Sequence, residues 1–196
     1  MLSEKIIYIG IIINIFFYIP YIKGILKGDV KPNLVSFSIW TLAPLIGVFL
    51  QLKAGANLSV LGTFMAGFGP FLVIIFSLIN KNSFWKINRF DLICGLFSIL
   101  SLIIYIITNK LGISILFAII SDGLAAFPTI LKSLKFPETE NALLYMGGII
   151  NNILALLIIT NWTFSIYAFS VYFIIINAII IFSIYHKKIL LLLNYK

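Results

Sequence analysis

The chain has 196 residues, 62% of them hydrophobic and only 10% charged, whereas soluble domains carry about 25% charged residues. With a mean hydropathy of +1.15, this balance excludes a soluble domain and describes an integral membrane protein. The formal charge of +8 is accounted for by membrane topology and calls for no nucleic-acid partner.

Crossing the hydrocarbon core takes about 20 mostly apolar residues. Cutting the sequence at its polar and turn-rich clusters predicts seven spans: Ile6–Ile22, Leu34–Leu52, Leu58–Ile79, Asp91–Thr108, Ile113–Leu131, Ala142–Thr160 and Phe164–Tyr185. All should be helices, because a lipid-exposed span must satisfy its backbone hydrogen bonds internally and these runs are too long for barrel strands. The fold class expected is therefore an all-α membrane protein.

Span one follows an N-terminus without a small-residue cleavage site, so it is expected to be retained. It carries Gly10, Asn14 near its midpoint and Pro20 at its end. The connection after it holds Lys23, Lys27 and Lys31 and closes on Pro32 and Asn33, the latter an N-cap for span two. Span two presents Trp40, Pro44 and Gly47 on one stripe. In span three the run GFGP, Gly67 to Pro70, is expected to bend or break the helix. Trp85 and Trp162 fall in loops at span ends, where interfacial tryptophans belong.

Span five contains Asp122 near its centre, and an ionised carboxylate there costs about 2.5–3.5 kcal/mol even on insertion scales. Ala118, Asp122 and Ala126 share one stripe at helical spacing, and small residues let helices approach closely, so the acid should point inward. Two readings stand side by side. Asp122 binds a substrate or coupling cation, or exchanges a proton; alternatively it makes an interhelical hydrogen bond to Asn14 or another helix. After Pro128, the segment PETEN forms a turn, with Asn141 as the N-cap of span six and Glu138 and Glu140 solvated near that helix start.

Eleven basic residues follow spans one, three, five and seven: Lys23, Lys27, Lys31, Lys81, Lys86, Arg89, Lys132, Lys135, Lys187, Lys188 and Lys196. The opposite side holds three, Lys5, Lys53 and Lys110. The positive-inside rule then sets the N-terminus outside and the C-terminus in the cytoplasm.

An offset of 108 residues sets Asn14 on Asp122, Pro20 on Pro128, Lys27 on Lys135 and Asn33 on Asn141. It also sets Trp40, Pro44 and Gly47 on Gly148, Asn152 and Ala155. VIIFSL at Val73–Leu78 has a near copy, IIIFSI, at Ile179–Ile184. The spans therefore divide three, one, three: repeat one over residues 6–79, a linker helix over 91–108 and repeat two over 113–185, within a single transmembrane domain. The single linker gives both repeats the same sidedness. Parallel repeats are one of the two transporter plans, with the substrate near the midplane.

The paired segments PYIKGILKGDVKPN (Pro20–Asn33) and PTILKSLKFPETEN (Pro128–Asn141), inside two three-helix units joined by one helix, resemble the SWEET and PQ-loop superfamily. The chain is similar also to bacterial multi-pass membrane proteins. The family's proline–glutamine pair is replaced here by Pro20–Tyr21 and Pro128–Thr129. The resemblance implies a transporter or facilitator for a sugar or other small polar metabolite, working by alternating access, in the cell membrane and specifically a bacterial inner membrane. Its alternative is a receptor or adaptor of the same architecture, as in the KDEL receptors.

Candidate substrate-binding residues are Asn14, Asp122, Trp40, Asn152 and Asn177, with Asn151 of the same kind. Tryptophan suits a ring face and asparagine suits hydroxyls, although packing around small residues explains the same stripe. Pro20 and Pro128 each free a backbone carbonyl and are hinge candidates or span-end markers. Cys94 and His186 are single residues of their types, so no metal set, disulfide, cofactor or enzymatic acid–base pair is expected. The expected partners are the bilayer, a small polar solute with a proton or cation as coupling ion, and further copies of the chain in a homo-oligomer.

Overall fold

The computed structural model describes residues 3–80, 83–107 and 110–194. Lys81, Thr108 and Lys196, which entered the topology above, lie outside the described residues. Seven α-helices follow one another: α1 Ile6–Lys27, α2 Leu34–Lys53, α3 Val60–Ile79, α4 Arg89–Ile107, α5 Leu111–Lys135, α6 Ala142–Leu157 and α7 Phe164–Asn194. A short 3₁₀ turn, Pro137–Thr139, links α5 to α6. Helices α1, α2, α3, α5 and α7 are long and apolar enough to cross a membrane.

Local chemistry sets where these helices begin and end. Asn33 caps α2, its Oδ1 accepting from the Val35 and Ser36 N–H groups at 3.1 and 3.4 Å. Asn141 caps α6 in the same way, accepting from the Leu143 N–H at 3.0 Å. Each such cap is worth about 0.5–2 kcal/mol. Helix α1 stops at Gly28, whose φ of 83° lies in the left-handed region open to glycine. Gly55, at φ 82°, turns the chain after α2 in the same manner.

Three expectations need correction. Helices α1 and α5 run past their expected ends at Ile22 and Leu131, with Pro20 and Pro128 inside them, to a terminal lysine, Lys27 or Lys135. Proline within a helix removes one donor, from which the carbonyls of Phe16 and Leu124 lose their helical partners, but the remaining ladder carries through. Helix α3 continues unbroken through Gly67–Pro70. The glycines there serve close approach: a Cβ on Gly67 would meet Leu45 Cγ at 2.8 Å, and one on Gly69 would run into the Tyr18 ring. Helix α6 ends at Leu157 rather than Thr160 and has only 16 residues. The Ile158 N–H winds down onto the Ala155 carbonyl at 3.4 Å, and the Ile158 carbonyl is taken by Asn57 Nδ2 at 2.7 Å.

The helices pack in a reciprocal pattern. Helix α3 packs against both α1 and α2, and α7 packs against both α5 and α6; α1 reaches α2 through the Tyr21 and Phe37 rings, whose centroids are 5.9 Å apart. Across the middle, α1 packs on α6 and α2 packs on α5. Helix α4 packs on α5 and α2, and the Ser121 hydroxyl on α5 donates to the Ser98 carbonyl on α4 at 2.8 Å.

Polarity is distributed inside out. Phe16, Phe49, Leu78, Leu92 and Phe182 are exposed, while Asn14, Gln51, Thr63, Asp122, Asn151 and Asn152 are buried. Water would invert that arrangement; a hydrocarbon solvent requires it, because polar groups there find hydrogen bonds only within the bundle. The molecule is therefore a multi-pass helical membrane protein.

The two ends of the bundle are sealed by different bonds. At one end Asn57 Nδ2 joins the α2–α3 turn to Glu4 at 2.9 Å and to the end of α6. At the other, the Lys31 N–H donates to the Thr139 carbonyl, and the Trp85 N–H to the Pro32 carbonyl, both at 3.0 Å. Valine at Gly67 or at Gly69 overpacks these contacts and should lower stability in detergent by about 1–3 kcal/mol. Alanine at Gly112, whose nearest neighbour is 3.9 Å away, should be neutral; thermal unfolding of the three variants beside wild type checks this, and equal midpoints would contradict the packing account.

Candidate functional site: a polar cavity between the helices

The Ala118, Asp122, Ala126 stripe of α5 is fully buried, and the neighbours of Asp122 come from α2 and α7. The Tyr172 hydroxyl donates to Asp122 Oδ2 at 2.7 Å. The Trp40 indole N–H donates to the Asp122 backbone carbonyl at 3.2 Å. Asp122 Oδ1 is buried and has no hydrogen-bond partner among the described residues.

Asp122 borders a cavity of about 60 Å³. Every helix except α4 contributes to its wall: Tyr18 from α1, Phe37 and Trp40 from α2, Ala66 and Pro70 from α3, Tyr145, Gly148 and Asn152 from α6, and Phe173 and Asn177 from α7. The aromatic rings pack on one another, Phe37 edge-on to Trp40 with centroids 5.0 Å apart. Asn152 Nδ2 donates to the Gly148 carbonyl at 2.9 Å and Asn177 Nδ2 to the Phe173 carbonyl at 2.7 Å. Asn152 Oδ1, like Asp122 Oδ1, is buried without a partner.

Trp40, Asp122, Asn152 and Asn177 are thus brought together. Asn14 is not. It is buried on α1, but it does not border the cavity, and the helix on which α1 packs across the middle is α6, not α5. The offset expected to pair Asn14 with Asp122 does not make their helices neighbours: α1 packs on α6 and α5 packs on α2, so Asp122 faces Trp40. Asn151 also points elsewhere, its Nδ2 donating to the Gly62 carbonyl at 3.3 Å, where α6 meets α3. Pro20 and Pro128 lie within their helices, away from the cavity wall.

The tyrosines Tyr18, Tyr145 and Tyr172 were not singled out from the sequence. Their signal was present in part: Tyr18 follows Asn14 by one helical turn, on the same buried face, and a tyrosine inside a span needs a partner for its hydroxyl.

A second polar cluster lies toward the end of the bundle that holds the α5–α6 connection. Lys132 Nζ pairs with Glu140 Oε1 at 2.5 Å, with both side chains at most 1% exposed. Glu140 Oε2 accepts from the Tyr21 and Tyr145 hydroxyls, each at 3.0 Å. Lys132 Nζ also donates to the Lys31 carbonyl and sits 5.6 Å from the Trp85 ring centroid. This corrects the expectation that Glu140 is solvated. The 3₁₀ turn folds Glu140 back beneath α5, while Glu138 stays exposed. Tyr145 belongs to both sites, bordering the cavity and bonding Glu140.

Fold and site together define a polytopic helical membrane protein with a mostly apolar cavity inside its bundle, bordered by the buried acid Asp122. No family model matches this chain, and no curated protein or solved structure matches it either.

Removing one partner of a buried ion pair leaves an uncompensated charge and costs about 3–5 kcal/mol. Lys132→Met should therefore destabilise the protein by about that amount, and the double variant Lys132→Met/Glu140→Gln should recover most of the loss. Thermal unfolding in detergent reads both; an unaffected Lys132→Met would remove Glu140 and Lys132 from the structural account.

Proposed function

We propose that the protein is a carrier or facilitator for a small polar solute, working by alternating access between two parallel three-helix halves, α1–α3 and α5–α7, joined by α4. The observation that carries this reading is the cavity bordered by Asp122 and Asn152 and bounded by both halves, each of these two residues having a buried side-chain oxygen without a partner among the described residues. The reciprocal packing of α1 on α6 and α2 on α5 supports a two-fold relation between the halves, the arrangement that the resemblance to the SWEET and PQ-loop superfamily implies. Parallel repeats around a midplane site are one plan of secondary carriers.

In this reading all seven helices cross a cell membrane, in keeping with a bacterial inner membrane, and the N-terminus is outside. The end of the bundle with Lys31, Lys132 and Trp85 faces the cytoplasm, in line with the basic residues there. The halves rock against each other about the site, with Pro20 and Pro128 as points of compliance where the helical ladder lacks a bond. The buried Lys132–Glu140 pair closes the cytoplasmic exit and must part for the solute to leave. No chemical step is assigned to any residue.

Purified protein reconstituted in liposomes should accumulate or release labelled small solutes, and Asp122→Asn should slow that flux by at least about tenfold, the loss expected when a charge-assisted contact of about 1.5–3 kcal/mol is removed. Saturable binding without flux in wild type would favour a receptor; flux unaltered by Asp122→Asn would remove the site.

A further inference from the structure

The hydrogen-bonding groups around the cavity are unevenly committed. On the donor side, the Trp40 N–H goes to the Asp122 carbonyl, the Tyr172 hydroxyl to Asp122 Oδ2 and the Tyr145 hydroxyl to Glu140. Asn152 and Asn177 each give an amide proton to a carbonyl one turn earlier on their own helices. On the acceptor side, Asp122 Oδ1 and Asn152 Oδ1 are buried and take nothing. A buried acceptor left without a donor costs about 1–3 kcal/mol, and more for a charged group. The Tyr18 hydroxyl also borders the cavity, so a donor is on offer beside these acceptors, and the one acidic side chain on the wall is Asp122.

Charge narrows the class further. Among the described residues no lysine or arginine borders the cavity. The basic residue nearest along α5, Lys132, lies ten residues from Asp122, about 15 Å along the helix, and is held by Glu140 and the Lys31 carbonyl. Among the described residues the Asp122 carboxyl accepts one hydrogen bond, from the Tyr172 hydroxyl. Around it stand Phe37, Trp40 and Phe173, whose ring faces attract a desolvated cation by about 2 kcal/mol.

Resting on the carrier reading above, we infer that the occupant is a small organic cation, a primary or secondary ammonium on a short apolar body. Its N–H groups bond Asp122 Oδ1 and Asn152 Oδ1 while its carbons lie among the aromatic rings. The cavity of about 60 Å³ takes roughly four to six heavy atoms, at ~10–15 Å³ for each water-sized unit. An anion would meet the Asp122 carboxylate with no lysine or arginine beside it among the described residues.

Isothermal titration of the full chain in nanodiscs with n-propylammonium chloride, 1-propanol and sodium propionate tests this at constant ionic strength. Propylammonium should bind at least tenfold more tightly than propanol, and propionate should give no heat. Asp122→Asn should weaken propylammonium at least tenfold and leave propanol within twofold. If Asp122→Asn does not fold, Asn152→Ala takes its place, with a three- to tenfold loss expected for propylammonium alone.

Glycerol or propanol binding as tightly as propylammonium, and lost in the variant, would overturn the cation while leaving the solute site standing. Propylammonium binding wild type and variant alike would overturn the cation and the site together. No binding of propylammonium to wild type would overturn the inference, and the liposome flux assay then decides the carrier reading separately.

Discussion

A hydrocarbon solvent offers no hydrogen bonds, so every polar side chain inside the bundle has to be answered by another part of the protein. The arrangement of this molecule depends on how far that requirement is met at Asp122. One carboxylate oxygen is satisfied by Tyr172, the backbone carbonyl is satisfied by Trp40, and the second oxygen is left to the cavity. Those two bonds draw α2 and α7 onto α5. The aromatic residues near them keep the surroundings apolar, which makes the remaining oxygen more demanding.

The same requirement is met at Glu140 by an ion pair as well as by hydrogen bonds. Its carboxylate takes Lys132 on one oxygen and two tyrosine hydroxyls on the other. The two acids therefore behave oppositely. Glu140 is a closed structural knot between α1, α5 and α6, and Asp122 is an open one between α2, α5 and α7. Tyr145 touches both, so a change at the cavity and a change at the knot share one side chain. That sharing gives a physical route by which occupancy of the cavity could bear on the exit beneath it.

Much of the fold is legible in the sequence because the signals are local. Asn33 and Asn141 announce helix starts through short polar side chains just before apolar runs. The Ala118, Asp122, Ala126 stripe announces a buried face through its spacing. What is not legible is adjacency. The offset of 108 residues that pairs Asn14 with Asp122 says nothing of which helices meet: α1 packs on α6, and α5 packs on α2. Glu140 in a short polar loop reads as solvated, because nothing local says that the 3₁₀ turn will fold it onto Lys132. The GFGP run reads as a breaker, since glycine and proline carry that tendency; in α3 the glycines answer to the Tyr18 ring and Leu45 across the interface instead.

The claim at the centre of this account is that the cavity is reached in turn from the two sides of the membrane. Asn152→Cys on a Cys94→Ser background provides one thiol in the cavity wall, since Cys94 is the single native cysteine. Right-side-out and inverted vesicles are then treated with a membrane-impermeant cationic methanethiosulfonate. Modification of position 152 from either face is the result this account predicts; modification from one face only would describe a pocket with a single entrance and contradict it.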